Sequence, residues 1–299
     1  MKYLCTRSKN IVYADDTTVT VNAKSLAEAS KIVNKTLENF YNYFTLNKLS
    51  INGSKTKFMI FTKKKGSMAR IDSNIYLNGE ILEEVKSIKF LGVVINNKLS
   101  WSDYKHHIRS KIQRNIGILY KCRDVLDKES LLNMYNSFVQ PYLLYCLPVW
   151  GFSIKSDNDP IIKIQNKCLR ILFNTNRSED AWNKVRDAVL PVQALYKLEV
   201  AKFCYKHSRN ILPTGFTNSV MPIFTKNIHD IETRYSDNHN YFMVDNKPMA
   251  NMSFTAQCVR VWKNIPLLMK IQTDILDYSL SKFVKQYKEH IFWVLNNTY

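Results

Sequence analysis

Apolar and polar residues recur at two different periods along the chain, and the change falls near residue 101. Before it, the runs Asn10 to Ala14 and Thr17 to Val21 are β-prone and flank Asp15-Asp16, the pattern of a hairpin. Ser25-Leu26-Ala27-Glu28 has the spacing of a capping box, in which serine and glutamate each satisfy a free backbone N–H at a helix start. Behind it, Leu26, Ala29, Val33, Leu37, Phe40 and Phe44 recur at steps of three and four, predicting one apolar face of a helix of about 20 residues. A strand from Lys57 to Phe61 follows, then a hairpin whose turn is Asn78-Gly79, residues that tolerate the positive φ angles of a two-residue loop. A long strand from Val85 to Ile95 is predicted to close this section.

From Ser102 onward the period is helical. Ile108, Ile112, Ile116 and Leu119 share one face, and Lys111, Arg114 and Lys121 point away from it. Further helices are predicted near residues 129–147, 159–174, 194–208, 254–264 and 278–295, with a polar, Asn-rich, irregular stretch at 213–252. The pattern is that of an α+β fold: antiparallel hairpins around one long helix, then an all-helical remainder.

Composition adds a partner. Hydrophobic residues make up 45% and charged residues 23%, which excludes a mainly disordered chain. Lys and Arg number 43 against 25 Asp and Glu, a net charge of +18, which points to an acidic partner such as nucleic acid. The longest apolar run, Pro141 to Phe152, falls well short of the roughly 18 residues a membrane span needs, and no apolar signal-peptide core follows Met1. Six scattered cysteines without a Cys-x-x-Cys pair argue against a disulfide framework or zinc knuckle and fit an intracellular setting, cytoplasm or nucleus. His106-His107 has no further ligand at zinc spacing.

Chemistry concentrates at Tyr13-Ala14-Asp15-Asp16. Two adjacent carboxylates at a hairpin tip suit Mg²⁺, which prefers oxygen ligands, one or two carboxylates and substrate phosphates. A solvated turn is the alternative, since Asp is common in turns. The flanking segments extend the pattern: Leu49-Ser50-Ile51-Asn52-Gly53-Ser54-Lys55-Thr56 before a strand, then Phe90-Leu91-Gly92-Val93 and Leu99-Ser100-Trp101. Beyond them lie Pro141 to Cys146 with Val149-Trp150-Gly151, Ile164 to Leu172, Glu232-Thr233-Arg234 and Val261-Trp262-Lys263-Asn264-Ile265-Pro266. In order and spacing this set resembles the reverse transcriptases of non-LTR (LINE-like) retrotransposons, especially the jockey-type group.

The resemblance implies a partial polymerase palm over 1–101, a helical thumb over 102–175, and a helical C-terminal region over 176–299. It implies RNA template, DNA primer and dNTP as partners and two Mg²⁺ ions as cofactors. Asp15 would be a metal ligand and Asp16 a second, weaker or structural carboxylate; Tyr13 would pack near the primer end. Lys55 would approach the leaving pyrophosphate, its alternative being a solvated lysine beside Lys57. Phe90, Leu91 and Gly92 would form the primer grip, or simply a core strand. The family also places fingers and a first catalytic aspartate upstream, whereas only 12 residues precede Tyr13 here. The expectation is therefore a C-terminal portion from a truncated or internally initiated frame, inactive alone and prone to self-association through uncovered palm surface.

Basic residues suggest a second function. Lys63, Lys64 and Lys65 with Arg70, and Lys105, Arg109, Lys111, Arg114, Lys121 and Arg123 on the next helix, form a one-sidedly cationic set suited to phosphates. Trp101, Tyr104 and Tyr120 are available for stacking on bases or for core packing. A non-catalytic module gripping duplex backbone is thus the alternative to polymerase chemistry, and a translated remnant without function is a third reading.

Overall fold

Every strand of the N-terminal part finds one partner, and among the described residues no third strand joins any pair. The computed structural model describes residues 8–62, 74–185, 188–209, 211–213, 254–265 and 279–297. The chain divides into two units, Met1–Asp103 and Tyr104–Tyr299. The irregular stretch expected at 213–252 lies, beyond its first residue, outside the described residues.

In the first unit, β1 (Ser8–Tyr13) pairs antiparallel with β2 (Asp16–Val21), with Tyr13 opposite Asp16 and Asn10 opposite Val19. Helix α1 (Leu26–Leu46) starts where the capping box predicts: Ser25 Oγ accepts the Glu28 N–H at 3.2 Å. The Glu28 carboxylate closes on the N–H of Lys24 at 3.2 Å, one residue before the cap. The helix packs Val33, Leu37 and Tyr41 against a cluster of Ile75, Leu77 and Leu82, joined by Ile51 and Phe58. Full burial of one such side chain stabilises by about 1.5–3 kcal/mol, so this small cluster is what holds the helix to its hairpin. Asn34 adds direction, accepting the Tyr76 N–H at 2.8 Å and donating to the Asn74 carbonyl at 3.1 Å.

That hairpin is β4 (Tyr76–Leu77) and β5 (Glu80–Ile81), turned by Asn78 and Gly79 at φ 52° and 82° as the sequence predicts. The strand expected from Lys57 to Phe61 is only β3 (Lys57–Phe58), running parallel to β6 (Glu83–Glu84). The long strand expected from Val85 to Ile95 is instead a hairpin, β7 (Ser87–Phe90) and β8 (Val93–Asn96). Its turn is Leu91-Gly92, at φ 45° and 84°; glycine carries the second positive φ without strain, so an apolar run that reads as continuous folds back on itself.

The second unit is helical: α2 (Ser102–Cys122, its first two residues in the first unit), α3 (Lys128–Phe138), α4 (Gln140–Leu144), α5 (Leu147–Trp150), α6 (Pro160–Leu172), α7 (Ser178–Lys184), α8 (Val192–Ser208), α9 (Phe254–Lys263) and α10 (Leu280–Asn297). The single helix expected near 129–147 is broken twice. Pro141 cannot donate into a continuing helix, and Cys146 takes a left-handed φ of 51°. The short α7 carries no apolar period and escaped the sequence pattern.

Helix α8 is the centre of this unit, packing on α4, α5, α6, α9 and α10. Its buried residues, including Leu195, Leu198, Val200, Ala201 and Cys204, go round the whole helix, as a core helix requires. Gly151 is needed where α5 ends, because a Cβ there would fall 2.5 Å from Tyr196 Cδ2. Gln165, 1% exposed, is satisfied on both ends of its amide: it donates to Tyr135 Oη (2.8 Å) and the Leu190 carbonyl (3.1 Å), and accepts the Val192 N–H (2.9 Å). Tyr205 stacks on Phe283 at 4.7 Å between centroids, joining α8 to α10.

Candidate functional site

The β1–β2 register decides how the two aspartates stand. Residues 9, 11, 13, 16, 18 and 20 share one face of the ribbon, so Asp16 lies beside Tyr13 and Ile11. That face is open, with Ile11 57% and Tyr13 63% exposed. Val19 and Asn10, opposite one another on the other face, are half-buried. Asp15 occupies the turn itself, after Ala14 at φ 53°. A residue with a Cβ in that region costs roughly 1–2 kcal/mol, so the tip holds a strained backbone at the position where two-residue loops usually place glycine. Both aspartates are exposed, and among the described residues neither carboxylate accepts a hydrogen bond or pairs with a cation.

Lys55 sits in a turn organised by Asn52. The Asn52 Oδ1 accepts both the Lys55 N–H (3.1 Å) and the Ser54 hydroxyl (2.7 Å), while its carbonyl accepts the Thr56 hydroxyl (2.8 Å). The Lys55 backbone is therefore fixed and its exposed ammonium is unpaired among the described residues. Phe90, Leu91 and Gly92 lie at the β7–β8 turn, with Leu91 37% exposed.

The basic set is split. Lys63, Lys64, Lys65 and Arg70 lie outside the described residues. Arg109, Arg114 and Lys121 are exposed and Lys111 is half-buried, on a helix whose Ile108, Ile112, Ile116 and Leu119 are buried as expected. Lys105 is a correction. It is 9% exposed, and its ammonium donates to Asp159 Oδ2 at 2.5 Å and to the Ser153 carbonyl at 2.8 Å. Lys105 falls three residues before Ile108 and seven before Ile112, so it belongs to the apolar arc and its charge is spent inside the protein. Tyr104 is also buried, packed edge-on against Trp150 at 5.6 Å, whereas Tyr120 is 54% exposed beneath the Arg123 guanidinium at 4.2 Å. Lys163, Lys167 and Arg170 on α6, outside the basic set expected from the sequence, lie off that helix's buried side. Their spacing of four and three was the available signal.

Asp15 and Asp16 suit Mg²⁺ as one or two carboxylate ligands with open surroundings. They do not make a complete cage, and among the described residues no group of three His, Cys, Asp or Glu could hold an ion. Buried thiols offer no nucleophile: burial pushes Cys168 up to about 12 and holds Cys204 well above the usual thiol range. No described helix is long and apolar enough to cross a membrane.

No family model and no solved structure matches the chain. It is 30% identical over 162 residues to the RNA-directed DNA polymerase from mobile element jockey of Drosophila melanogaster, covering 53% of this chain and 17% of that protein. It is 25% identical over 166 residues to the probable RNA-directed DNA polymerase from transposon BS of the same fly, covering 54% and 18%. The probable polymerase from its transposon X-element is 24% identical over 169 residues, covering 56% and 18%. The matched stretch is thus less than a fifth of each of these proteins. Over about half its own length, this chain is similar to the RNA-directed DNA polymerases of the mobile elements jockey, BS and X-element.

Proposed function

We propose that this chain carries part of the catalytic centre of an RNA-directed DNA polymerase that extends a DNA primer on an RNA template. The observation behind this reading is a pair of exposed, unpaired carboxylates, Asp15 on a strained two-residue turn and Asp16 at the strand end beside it, in a chain similar to such polymerases. Asp15 would hold Mg²⁺ through its carboxylate, with Asp16 beside it. Asp15 and Asp16 would hold such ions together with a further ligand, and the ions would supply Lewis-acid chemistry for the primer 3′-hydroxyl and the leaving pyrophosphate. Tyr13 borders the primer end on the open face of the ribbon. Lys55, its backbone set by Asn52, gives a cation or proton to the pyrophosphate as it leaves. The Phe90-Leu91-Gly92 turn grips the primer, Gly92 admitting a close backbone approach. A further carboxylate from another segment or chain completes the metal site.

The test is a chimera in which this chain replaces the matching stretch of the jockey polymerase. RNA-templated dNTP incorporation is expected and should vanish with Asp15→Asn; incorporation unchanged by that substitution would refute the assignment. A second reading, a module that holds duplex without catalysis, draws on the one-sided charge of α2. It would leave hybrid binding intact in the Asp15→Asn, Asp16→Asn double variant and give no incorporation in any chimera.

A further inference from the structure

Two side-chain contacts link α2 with the segment that carries α6. Lys105 on α2 bonds Asp159, just ahead of α6, and further along Gln113 Oε1 accepts from Lys167 Nζ at 3.5 Å; both contacts join residues 54 apart in sequence. The offset is the same at both contacts, about 12 Å of rise apart, so the two helices advance in the same direction. The same offset sets Arg109 level with Lys163. Arg170 follows one turn beyond Lys167, its Nη1 donating to the Asn176 carbonyl at 3.4 Å.

This seam is cationic without interruption. Neither 104–122 nor 160–172 contains an Asp or Glu. Of the two carboxylates that adjoin them, Asp159 is already neutralised by Lys105, and Asp103 sits in the first turn of α2, some 120° round from Arg109 at about 100° per residue. Among the described residues none of Arg109, Lys163, Lys167 or Arg170 makes an ion pair. The isoleucines beneath, Ile112, Ile116 and Ile164, are buried, so the seam offers charge and amide groups but no apolar side chain for a lipid or an apolar peptide. Evenly spaced cations from two parallel helices match a regularly charged polyanion. Lys111 is on the other flank of α2, some 200° round from Arg109 at about 100° per residue.

We infer that the α2–α6 seam is the track for a nucleic-acid phosphate backbone, with Arg109 and Lys163 contacting it from its two sides and Lys167 one turn on. The inference rests on the nucleic-acid reading above but assigns a different surface from the outer face of α2. The full chain is titrated into a fluorescently labelled RNA–DNA hybrid by anisotropy over a salt series. The triple variant R109Q/K163Q/K167Q should bind more weakly and lose roughly two to three units of salt slope, at about 0.9 per phosphate contact. The outer-face triple K111Q/R114Q/K121Q should lose less than about one unit, and the charge-conserving R109K/K163R/K167R should bind as the parent does. Seam variants that keep parental affinity and slope, with unchanged circular dichroism, would overturn the assignment, as would an equal loss in the outer-face variant. Competition by polyglutamate as effective as unlabelled hybrid would give the seam to an acidic protein instead. If the parent chain shows no salt-dependent binding, the nucleic-acid reading falls and the seam with it; parental binding with an unaffected seam variant removes the seam alone.

Discussion

Removing the Lys105 ammonium should unfold the helical unit at a markedly lower temperature. Its partner Asp159 is 8% exposed and has two tasks: Oδ1 caps α6 by accepting the Ile161 N–H at 3.0 Å, and Oδ2 takes the lysine at 2.5 Å. In Lys105→Met the chain volume is kept, the cap remains, and a buried carboxylate loses the cation that pairs with it among the described residues, while the Ser153 carbonyl loses a donor. Breaking a buried pair from one side costs about 3–5 kcal/mol, mostly the penalty of the charge left behind. For a unit of this size, at about 2–4 °C per kcal/mol, the fall in Tm is roughly 6–20 °C. Asn at 159 can still cap the helix without charge, so Lys105→Met with Asp159→Asn should recover all but about 1–2 kcal/mol. Thermal and urea unfolding followed by circular dichroism at 222 nm would measure both variants. A single variant within about 1 kcal/mol of the parent would show that the pair is solvated and worth no more than a surface salt bridge. A double variant as unstable as the single would show that packing, rather than uncompensated charge, is what was lost.

Other outcomes follow from the same contacts. Gln165→Leu should cost about 2–4 kcal/mol in urea unfolding, because the Val192 N–H, the Leu190 carbonyl and the Tyr135 hydroxyl all lose a buried partner; a loss below about 1 kcal/mol would contradict that network. The purified chain should give no primer extension with Mg²⁺ and dNTP, since two carboxylates alone do not fix two ions and a triphosphate; extension abolished by Asp15→Ala would mean a further carboxylate is already in place. Sedimentation should reveal self-association through the β1–β2 ribbon, where Ile11 and Val12 are 57% and 49% exposed, and Ile11→Lys should reduce it; a stable monomer at high concentration would count against this. Cys168, Cys204 and Cys258, all fully buried, should resist a thiol reagent until the chain unfolds, so labelling of Cys204 under native conditions would contradict its place in the core.

Much of the fold was legible wherever local chemistry and burial agree. The Ser25 cap, the Asn78-Gly79 turn and the buried stripe of α2 are set by residues within a few positions of one another. Legibility fails where a long-range contact overrides the local pattern. Lys105 carries the residue type of a surface and the spacing of a core, and only Asp159, far along the chain, resolves the conflict. The strand expected through Leu91 and Gly92 misled because a β-prone run does not announce a turn unless its glycine is given precedence. At the candidate site, the carboxylates and Lys55 could be picked out by type, but the open face beside Tyr13 and the Asn52 bracket could not. A role for Lys163 and Lys167 in binding is not legible in the sequence, because it depends on which helix α6 contacts.

The central position of α8 has a consequence in time. A ribosome delivers α4, α5 and α6 before α8, so the side of α8 facing them can be covered as soon as it emerges. The other side waits. Cys204 donates to the carbonyl of Cys258, and Tyr205 lies against Phe283, so those partners are synthesised well after α8 itself. For that interval a helix with no polar face has one side uncovered, and contacts this distant in sequence are slow to close. The last helix therefore acts as the closing wall of the unit rather than as a tail. A chain stopped short of Phe283 would leave the ribosome with its central helix still open to other proteins.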